Sequence, residues 1–570
     1  MCRPIAEIVG QRAAIQGGAL ALTYLHDGEN DAESWTYAQL WQAVSRVAAD
    51  LSARGAAGKR AVLLYEPGLE YIAAFLGTMA SGAIAVPAYP PASKRMAERL
   101  RGVIQDCSPD FVLTSAAFAA VFQGQLPDVT HASWIATDAL PQASFDGVTA
   151  DRDALTMLQY TSGSTGSPKG VMLSHANIVA NCAAVYEWLG PDPHRRGCIW
   201  LPPYHDMGLL GGILQPLFAG FPLVFLSPMH FVQKPVRWLQ AISQHRITLS
   251  GGPNFAYQMC ASDIPDEELE GLDLSCWKEA FCGAEPVRPD TLTAFCKRFE
   301  PSGFSVRAVN PCYGLAESTL IVSGKPPGQN PIYRRFDRER LEAGAAVDCD
   351  ARGEHDEAAE TDGSKEAIGL TSCGVVTSGY DLRIVDPAAG TELGQGQIGE
   401  IWVSGPSVAH GYWARPEETQ RVFGCQLPGA KGPFLDTGDR GFLQDGQLYV
   451  TGRSKDLIII AGKNHYSEDI EHTVESAHGS IYRGGAVAFS VEAGSEEAVI
   501  ILAEVRVQRD RRDIGAIAQT IIAQVTQVHG VAPKEVVLCR RGSIARTTSG
   551  KVRRAASRAL YLAGGLQQVA

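Results

Sequence analysis

Residues 160–170 read YTSGSTGSPKG, a stretch made almost entirely of hydroxyl side chains and glycines, with a lysine near its end. Exposed backbone N–H groups, small hydroxyls and one ammonium are the parts of an anion-binding loop, and phosphate is the usual anion. The stretch lacks the G-x-x-x-x-G-K-[ST] spacing of a Walker loop. It therefore predicts a phosphate-handling loop of another kind, with an ordinary flexible linker as the alternative for these residues taken alone.

Alternating extended and helical patterns surround this loop. RAVLLYEP, AIAVPAYP and GCIWLPP are typical of short apolar strands, while GLEYIAAFLGTMASG and SHANIVANCAAVYEWLG are typical of helices. Such alternation predicts an α/β fold, in which helices cover parallel sheets. Ligands of these sheets collect at loops that leave the carboxyl ends of strands, and LQYTSGSTG and AVNPCYGLAEST are both loops of that kind.

The pattern changes twice towards the C-terminus. From about residue 376 strands and turns prevail, and a G-x-G-x-x-G at 394–399 is followed by a strand, which indicates a turn and not a dinucleotide site. After TGRSKDLIII a small α+β unit runs to the end, so the sequence predicts domains at 1–453 and 454–570. Residues 336–369 are rich in charge and poor in large apolar side chains, and part of this segment is expected to be a mobile surface loop.

Composition excludes several classes of protein. The 570 residues carry a formal net charge of -12, which argues against a nucleic-acid binder. The 13 scattered cysteines and an N-terminus without an apolar signal-peptide core favour a cytoplasmic protein with reduced thiols. Residues 209–226 approach the length of a membrane span, but Gln215, Pro216 and Pro222 interrupt them. A buried helix followed by a buried strand explains this stretch better than stable membrane insertion.

Five further motifs follow the opening loop in a fixed order: FCGAEPV, NPCYGLAEST, DTGDRGFL, GRSKDLIIIAGKNHYSEDIE and TTSGKVRR. Together with the loop they resemble the adenylate-forming, or AMP-binding, superfamily over nearly the whole chain. AIAVPAYPP (83–91), WLPPYHDMGLLGG (200–212) and GGPNFAYQMC (251–260) resemble its fatty acyl-AMP ligase branch more closely. The resemblance implies a large N-terminal domain with parallel α/β sheets and a β-rich subdomain, followed by a small mobile C-terminal α+β domain.

The function implied by this resemblance is activation of a medium- or long-chain fatty acid. With ATP and Mg²⁺ the acid gives acyl-AMP and pyrophosphate, and the acyl group passes to the phosphopantetheine arm of an acyl carrier protein of a polyketide or peptide synthetase. RRFDRERLEAG (334–344) lies where these ligases carry an insertion that keeps the C-terminal domain from completing a CoA site. A fatty acyl-CoA synthetase and a non-catalytic nucleotide-binding regulator are the alternatives.

The resemblance also implies roles for individual residues around the nucleotide. The residues expected to wrap the β and γ phosphates are Thr161, Ser162, Gly163, Ser164, Thr165, Gly166 and Lys169. Those expected to hold the adenosine are Gly283, Ala284, Glu285, Tyr313, Gly314, Asp439 and Arg453. Tyr313 would stack on adenine, Asp439 would accept hydrogen bonds from the ribose hydroxyls, and Arg453 would reach ribose or phosphate. Buried core or surface ion-pair roles are the alternatives.

Catalysis between two anions requires positioning and charge neutralisation. By resemblance Glu317 is the magnesium ligand, with Thr165 assisting, and Lys551 bridges the acyl carboxylate and the α-phosphate, unless it belongs to a solvated basic tail. His205 lies between the nucleotide and acyl pockets, with no acid–base partner evident in the sequence. Lys455 occupies the hinge position.

Two points concern the surroundings of these residues. Relatives commonly have a proline where this chain has Ala545, which predicts a less stiff loop before Lys551. Residues 209–225, together with Phe255 and Tyr257, fit the wall of an acyl tunnel and the hydrophobic core equally well.

Overall fold

The computed structural model describes most of the chain. The described residues are 3–91, 94–123, 129, 131–147, 151–161, 168–349, 367–460, 463–493, 496–506, 513–547 and 551–569. The predicted phosphate-loop residues Ser162, Gly163, Ser164, Thr165 and Gly166 lie outside them, as does 350–366 within the charged segment.

The helices of the described residues alternate with strands through the first part of the chain. They are α1 Ile5–Gln16, α2 Tyr37–Ala53, α3 Leu69–Ala80, α4 Lys94–Cys107, α5 Ala116–Phe122, α6 His175–Leu189, α7 Gln215–Ala219, α8 Pro228–Gln233, α9 Val236–Gln244, α10 Asn254–Asp263, α11 Pro289–Phe299, α12 Arg338–Glu342, α13 Pro416–Phe423, α14 Ser467–Ala477, α15 Asp513–His529 and α16 Arg554–Leu562.

The strands fall into two large sheets, one medium sheet and three small ones. They are β1 Leu20–Leu25, β2 Ala32–Thr36, β3 Arg60–Leu64, β4 Ile84–Ala88, β5 Phe111–Thr114, β6 Ser133–Ala136, β7 Leu155–Thr161, β8 Lys169–Ser174, β9 Gly197–Ile199, β10 Leu223–Leu226, β11 Leu249–Gly252, β12 Glu279–Cys282, β13 Val309–Gly314, β14 Ile321–Gly324, β15 Tyr333–Asp337, β16 Ala367–Thr371, β17 Val375–Val376, β18 Asp381–Asp386, β19 Thr391–Glu392, β20 Gly399–Ser404, β21 Leu435–Gln444, β22 Gln447–Arg453, β23 Leu457–Ile460, β24 Lys463–Tyr466, β25 Ile481–Ala493, β26 Glu496–Val505 and β27 Glu535–Cys539.

A six-stranded sheet of order β6-β5-β3-β4-β7-β8 carries the opening loop. Its strands are parallel except for β7 and β8, which pair antiparallel with Thr161 opposite Lys169. The two ends of the phosphate loop are therefore fixed side by side at the edge of a buried sheet.

A nine-stranded sheet of order β17-β14-β13-β12-β11-β9-β10-β1-β2 forms the second layer. The strands from β1 through β10, β9, β11 and β12 to β13 run parallel. Helices cover both large sheets, as the alternating pattern predicts, and one continuous core of buried aliphatic and aromatic side chains joins them. The expected α/β class is confirmed.

The apolar stretch at 209–226 forms a buried helix followed by a buried strand, as expected. A π-helix, Met207–Leu214, continues into α7, and β10 follows. Tyr257 belongs to the core, because it is fully buried and packs edge-on against Trp238. In the described part of the chain, no helix combines the length and apolarity needed to cross a membrane.

The C-terminal third contains the predicted β-rich and α+β units. A sheet of order β19-β18-β20-β21-β22 holds the glycine-rich 394–399 segment in the turn before β20, which confirms the turn interpretation. Beyond β22, strands β25, β26 and β27 pack with α14 and α15 around a separate core. We propose a domain boundary between Arg453 and Ser454, because β22 ends there and a single 3-10 turn leads into the small unit.

The charged segment at 336–369 is anchored at a few described positions, while 350–366 lies outside the described residues, so the expectation of a surface loop there stays a prediction. β15 and β16 pair as a two-stranded ribbon, and Phe336 is fully buried against Phe442 and Tyr449. Composition missed this anchoring because a few apolar side chains at the ends of the segment make the packing contacts.

One buried amide ties α6 to the loop that carries Glu317. Asn181 is 2% exposed, and its Nδ2 donates to Ser407 Oγ at 3.1 Å and Ile321 O at 3.1 Å. Asn181→Leu should lower the free energy of unfolding by about 1–3 kcal/mol, since these acceptors lose their donor inside the protein. Urea unfolding measures the loss. The exposed Asn330→Leu is the control, and equal stability of both variants would contradict the assignment.

Candidate active site

A cleft of about 2700 Å³ lies between the large sheets, the β-rich unit and the C-terminal unit. The described candidates that line it are Thr161, Lys169, His205, Ala284, Glu285, Tyr313, Gly314, Glu317, Asp439, Arg453, Lys455 and Lys551. Gly283 precedes Ala284 in the chain. A Cβ added to Gly283 would lie 2.8 Å from Cys312 O, so the backbone is closely packed at this position. The structure thus gathers residues from nearly 400 positions of sequence into one site.

Asp439 is the centre of one wall. It faces Arg453 directly across β21 and β22, and Arg453 Nε donates to Asp439 Oδ1 at 3.1 Å. The Tyr313 hydroxyl donates to Asp439 Oδ2 at 2.8 Å. The carboxylate is therefore held from two sides and keeps lone pairs for further donors, as a ribose-binding acceptor would need.

Lys169 and Glu317 form the opposite wall with two residues that sequence reasoning missed. The Lys169 ammonium makes an ion pair with Glu418 and lies 5.2 Å from the centre of the Tyr412 ring. The Tyr412 hydroxyl donates to Glu317 Oε1 at 3.0 Å. No sequence motif indicated Tyr412 or Glu418, because their partners Glu317 and Lys169 are 95 and 249 positions away in the chain.

Glu317 suits the magnesium role in its environment. Burial raises the pKa of its carboxyl, so a cation beside it would favour the charged form. Among the described residues no group of three or more His, Cys, Asp or Glu could hold a metal by itself. Mg²⁺ commonly takes only one or two protein oxygens together with phosphates and water, so a buried glutamate that Tyr412 connects to Lys169 fits that ion.

His205 has a partner that the sequence analysis did not find. Its Nδ1 lies 2.6 Å from Oδ1 of the next residue, Asp206, which also accepts from Met207 N at 2.7 Å. Burial alone would raise the pKa of Asp206, but the charges of His205 and Lys551 and these hydrogen bonds lower it to about 2. Asp206 is thus a fixed negative charge that orients His205.

Lys551 enters the cleft on a closed turn of the C-terminal unit. Its backbone N–H donates to Thr547 Oγ1 at 3.0 Å, and Thr547 N donates back to Lys551 O at 2.7 Å. Arg553 N donates to the buried Ala545 O at 2.7 Å, so backbone bonds stiffen the described ends of this turn without the proline. Burial lowers the pKa of the Lys551 ammonium, and the charge of Asp206 opposes this.

Two other candidates have structural partners of their own. Glu285 Oε1 accepts from Phe255 N at 2.6 Å, and burial raises the pKa of this carboxyl. A Cβ on Gly314 would lie 1.8 Å from Leu320 O, so the strand end that precedes Glu317 requires glycine.

Lys455 lies in the 3-10 turn Ser454–Asp456 at the proposed domain boundary, which is where a hinge between the two units would have to be.

Comparison with known proteins identifies the class. The family model of AMP-binding enzymes matches residues 10–413, and a model described as Disco-interacting protein 2-like, AMP domain, matches 455–570. The chain belongs to the AMP-binding enzyme family.

Its relatives within that family are named as fatty-acid ligases. The chain is 38% identical to the medium-chain-fatty-acid–[acyl-carrier-protein] ligase JamA of Moorena producens, covering 99% of this chain and 96% of JamA. It is 37% identical to the long-chain-fatty-acid–AMP ligase FadD23 of Mycobacterium tuberculosis, covering 98% and 96%. A solved fatty acyl-adenylate ligase from L. pneumophila, in complex with acyl adenylate and pyrophosphate, is 35% identical with a TM-score of 0.76, covering 99% and 96%.

The Asp206 charge predicts a pH-dependent contribution to stability. Since its pKa falls from an ordinary 3.8 to about 2 on folding, the charge stabilises the fold above pH ~4, and this stabilisation fades as pH falls towards ~2. Asp206→Asn should therefore lose about 2 kcal/mol at pH 7 and progressively less below pH ~4. Urea unfolding across pH measures the difference, with the exposed Asp146→Asn as control. A pH-independent loss would contradict the assignment.

Proposed function

We propose that this protein is a fatty-acid–AMP ligase that couples a fatty carboxylate to the α-phosphate of ATP, releasing pyrophosphate. The observation that carries the proposal is the position of Lys551, which enters from the C-terminal unit and faces Asp206, Glu285 and Asp439 in one cleft. This arrangement occurs in a chain that matches fatty-acid ligases over almost its full length.

The chemistry requires two anions to meet in a partly dry cleft, where bare like charges repel strongly. Lys169 follows the predicted phosphate loop, Arg453 pairs with Asp439, and Lys551 is close enough to Asp206 and Arg453 to feel their charges. All three cations line the cleft that the triphosphate and the carboxylate would share. Lys551 would bridge an oxygen of each as charge develops in the transition state.

The remaining groups position the reactants. Asp439, held by Tyr313 and Arg453, would accept the ribose hydroxyls, and His205, oriented by Asp206, would separate the nucleotide from the acyl pocket. Glu317, with Thr165 from the loop, would hold Mg²⁺, which when bound neutralises phosphate charge.

For the acceptor we propose the phosphopantetheine arm of an acyl carrier protein, in a polyketide or peptide synthetase. The support lies in the insertion, because its helix α12 contacts the C-terminal unit. Arg338 lies 3.9 Å from Asp469 and 3.4 Å from His529, both in that unit. Glu342 Oε1 lies 3.4 Å from His465 Nδ1, and the backbone carbonyl of Glu342 accepts from Asn464 Nδ2 at 3.0 Å. These contacts restrain the rotation that a CoA site would need.

A pyrophosphate-release assay over fatty acids of graded length tests the activity, with trapped products identified by mass. An acyl-adenylate product supports the proposal. Pyrophosphate release with none of the acids would refute it.

Lys551→Ala should lower acyl-AMP formation by at least about 100-fold, because the transition state loses its bridging cation. ATP binding, followed by calorimetry, should change only a few-fold, since the other nucleotide contacts remain. Lys534→Ala, an exposed lysine of the same unit, is the control. Unchanged turnover of Lys551→Ala would remove this residue from the mechanism.

The double variant Arg338→Ala/Glu342→Ala should increase thioester formation with free CoA by at least a few-fold, because α12 would lose its ionic side-chain contacts with Asp469, His529 and His465. Rates with CoA and with a phosphopantetheinylated carrier protein are compared in parallel. Arg340→Ala, exposed on the same helix, is the matched control. If the double variant folds and its rate with CoA does not rise, α12 does not restrain the C-terminal unit as proposed. If the wild-type protein uses CoA as fast as the carrier protein, an acyl-CoA synthetase is favoured.

A further inference from the structure

One branch of the cleft runs along a face of the nine-stranded sheet. Leu249 pairs with Glu279 in β12, and Phe281 pairs with Asn310 in β13, so these side chains share one face of the sheet. All four line the cleft. We call this branch the acyl chamber.

The opposite wall of the acyl chamber is apolar and helical. Val185, Trp188 and Leu189 of α6 line it, together with Gly211 of the π-helix and Ile321 of β14. The buried members pack with Leu249 in one hydrophobic cluster. A hydrocarbon chain would therefore meet matching surface along most of the chamber.

The far end of the chamber is polar. Glu279 and Asn310 stand at or near the starts of their strands, and Asn310 Nδ2 donates to Glu279 Oε2 at 2.8 Å. Gln215, 2% exposed at the start of α7, lines the same cavity. We call these three residues the polar floor.

The polar floor has unused hydrogen-bonding capacity. Among the residues that the structure describes, Asn310 Oδ1 and both amide atoms of Gln215 have no hydrogen-bond partner, although all three are buried. An unpaired buried polar atom is costly, and an alkyl chain end placed against it cannot relieve that cost. A core packed for stability alone would favour aliphatic side chains at these positions.

The floor lies at a depth that an acyl chain can reach. Glu279 begins β12 and Gly283 directly follows its last residue, a separation of about 13 Å at the usual rise of a β-strand. Gly283 backs the adenylate end of the cleft, where the carboxylate would react. A chain of medium length would therefore bring its distal end to the floor.

We propose that the acyl chamber selects a medium-chain fatty acid with a hydroxyl group at or near its distal end. The hydroxyl would donate to the Glu279 carboxylate, and the Asn310 and Gln215 amides, which expose almost no surface, would turn towards the chamber to add further hydrogen bonds. This inference rests on the proposed function, since it names the acid that the same site activates. Burial raises the pKa of Glu279, although the hydrogen bond from Asn310 and the positive charge of Lys325 oppose the shift.

The test compares acids in pairs of equal length, one unsubstituted and one ω-hydroxylated, from hexanoic to tetradecanoic acid. Pyrophosphate release by the full-length enzyme gives kcat/KM for each. The hydroxylated acid should be preferred by at least about tenfold within a narrow range of lengths, where it reaches the floor. Equal rates at every length, or preference for the unsubstituted acids, would overturn the inference and leave the ligase activity standing. Failure of all acids would instead refute the proposed function.

Variants locate the preference. The double variant Glu279→Leu/Asn310→Leu removes both partners of one hydrogen bond together, which avoids leaving either unpaired by that change. The ratio of hydroxylated to unsubstituted kcat/KM should fall towards one or below. Gln215→Met, which is similar in volume, should also lower this ratio. It provides a second test in case the double variant does not fold. The exposed Asn330→Leu should keep the wild-type ratio, and a folded floor variant that also keeps it would contradict the assignment.

Discussion

The repulsion between a carboxylate and a triphosphate is the constraint on which this structure depends. The protein itself carries a net charge of -12, so the cations that neutralise these anions have to be concentrated at the cleft. The cations come instead from three separate parts: Lys169 from an edge strand, Arg453 from the β-rich sheet and Lys551 from the C-terminal unit. Under the proposed mechanism the domain arrangement brings these charges together, since a separate C-terminal unit could add Lys551 after the substrates have entered.

Much of this could be predicted from the sequence. The alternation of strands and helices gives the α/β class, and ordered motifs place Tyr313, Glu317, Asp439 and Lys551 around one cleft. Motifs succeed here because each of these residues lies within a short contiguous segment: Tyr313 in β13, Glu317 in the 3-10 turn that follows it, Asp439 in β21 and Lys551 just before α16.

The rest could not be predicted, because it depends on pairs that are distant in sequence or hidden in regular strands. Tyr412 and Glu418 can be recognised as residues of the candidate site only in the folded chain, where they contact Glu317 and Lys169. In the sequence Glu279 and Asn310 look like ordinary strand residues. Only the register of β12 against β13 shows that they share one face of the sheet and are hydrogen-bonded to each other. Even His205 and Asp206, adjacent in the chain, required the start of the π-helix to show their contact.

The ion pair between Lys169 and Glu418 has a further consequence. Under the proposed mechanism Lys169 binds phosphate, and a phosphate that reaches its ammonium would have to displace the Glu418 carboxylate. That exchange would lower the affinity of this loop end for the triphosphate and would favour the release of pyrophosphate. Product release would then gain at the expense of ground-state affinity for ATP.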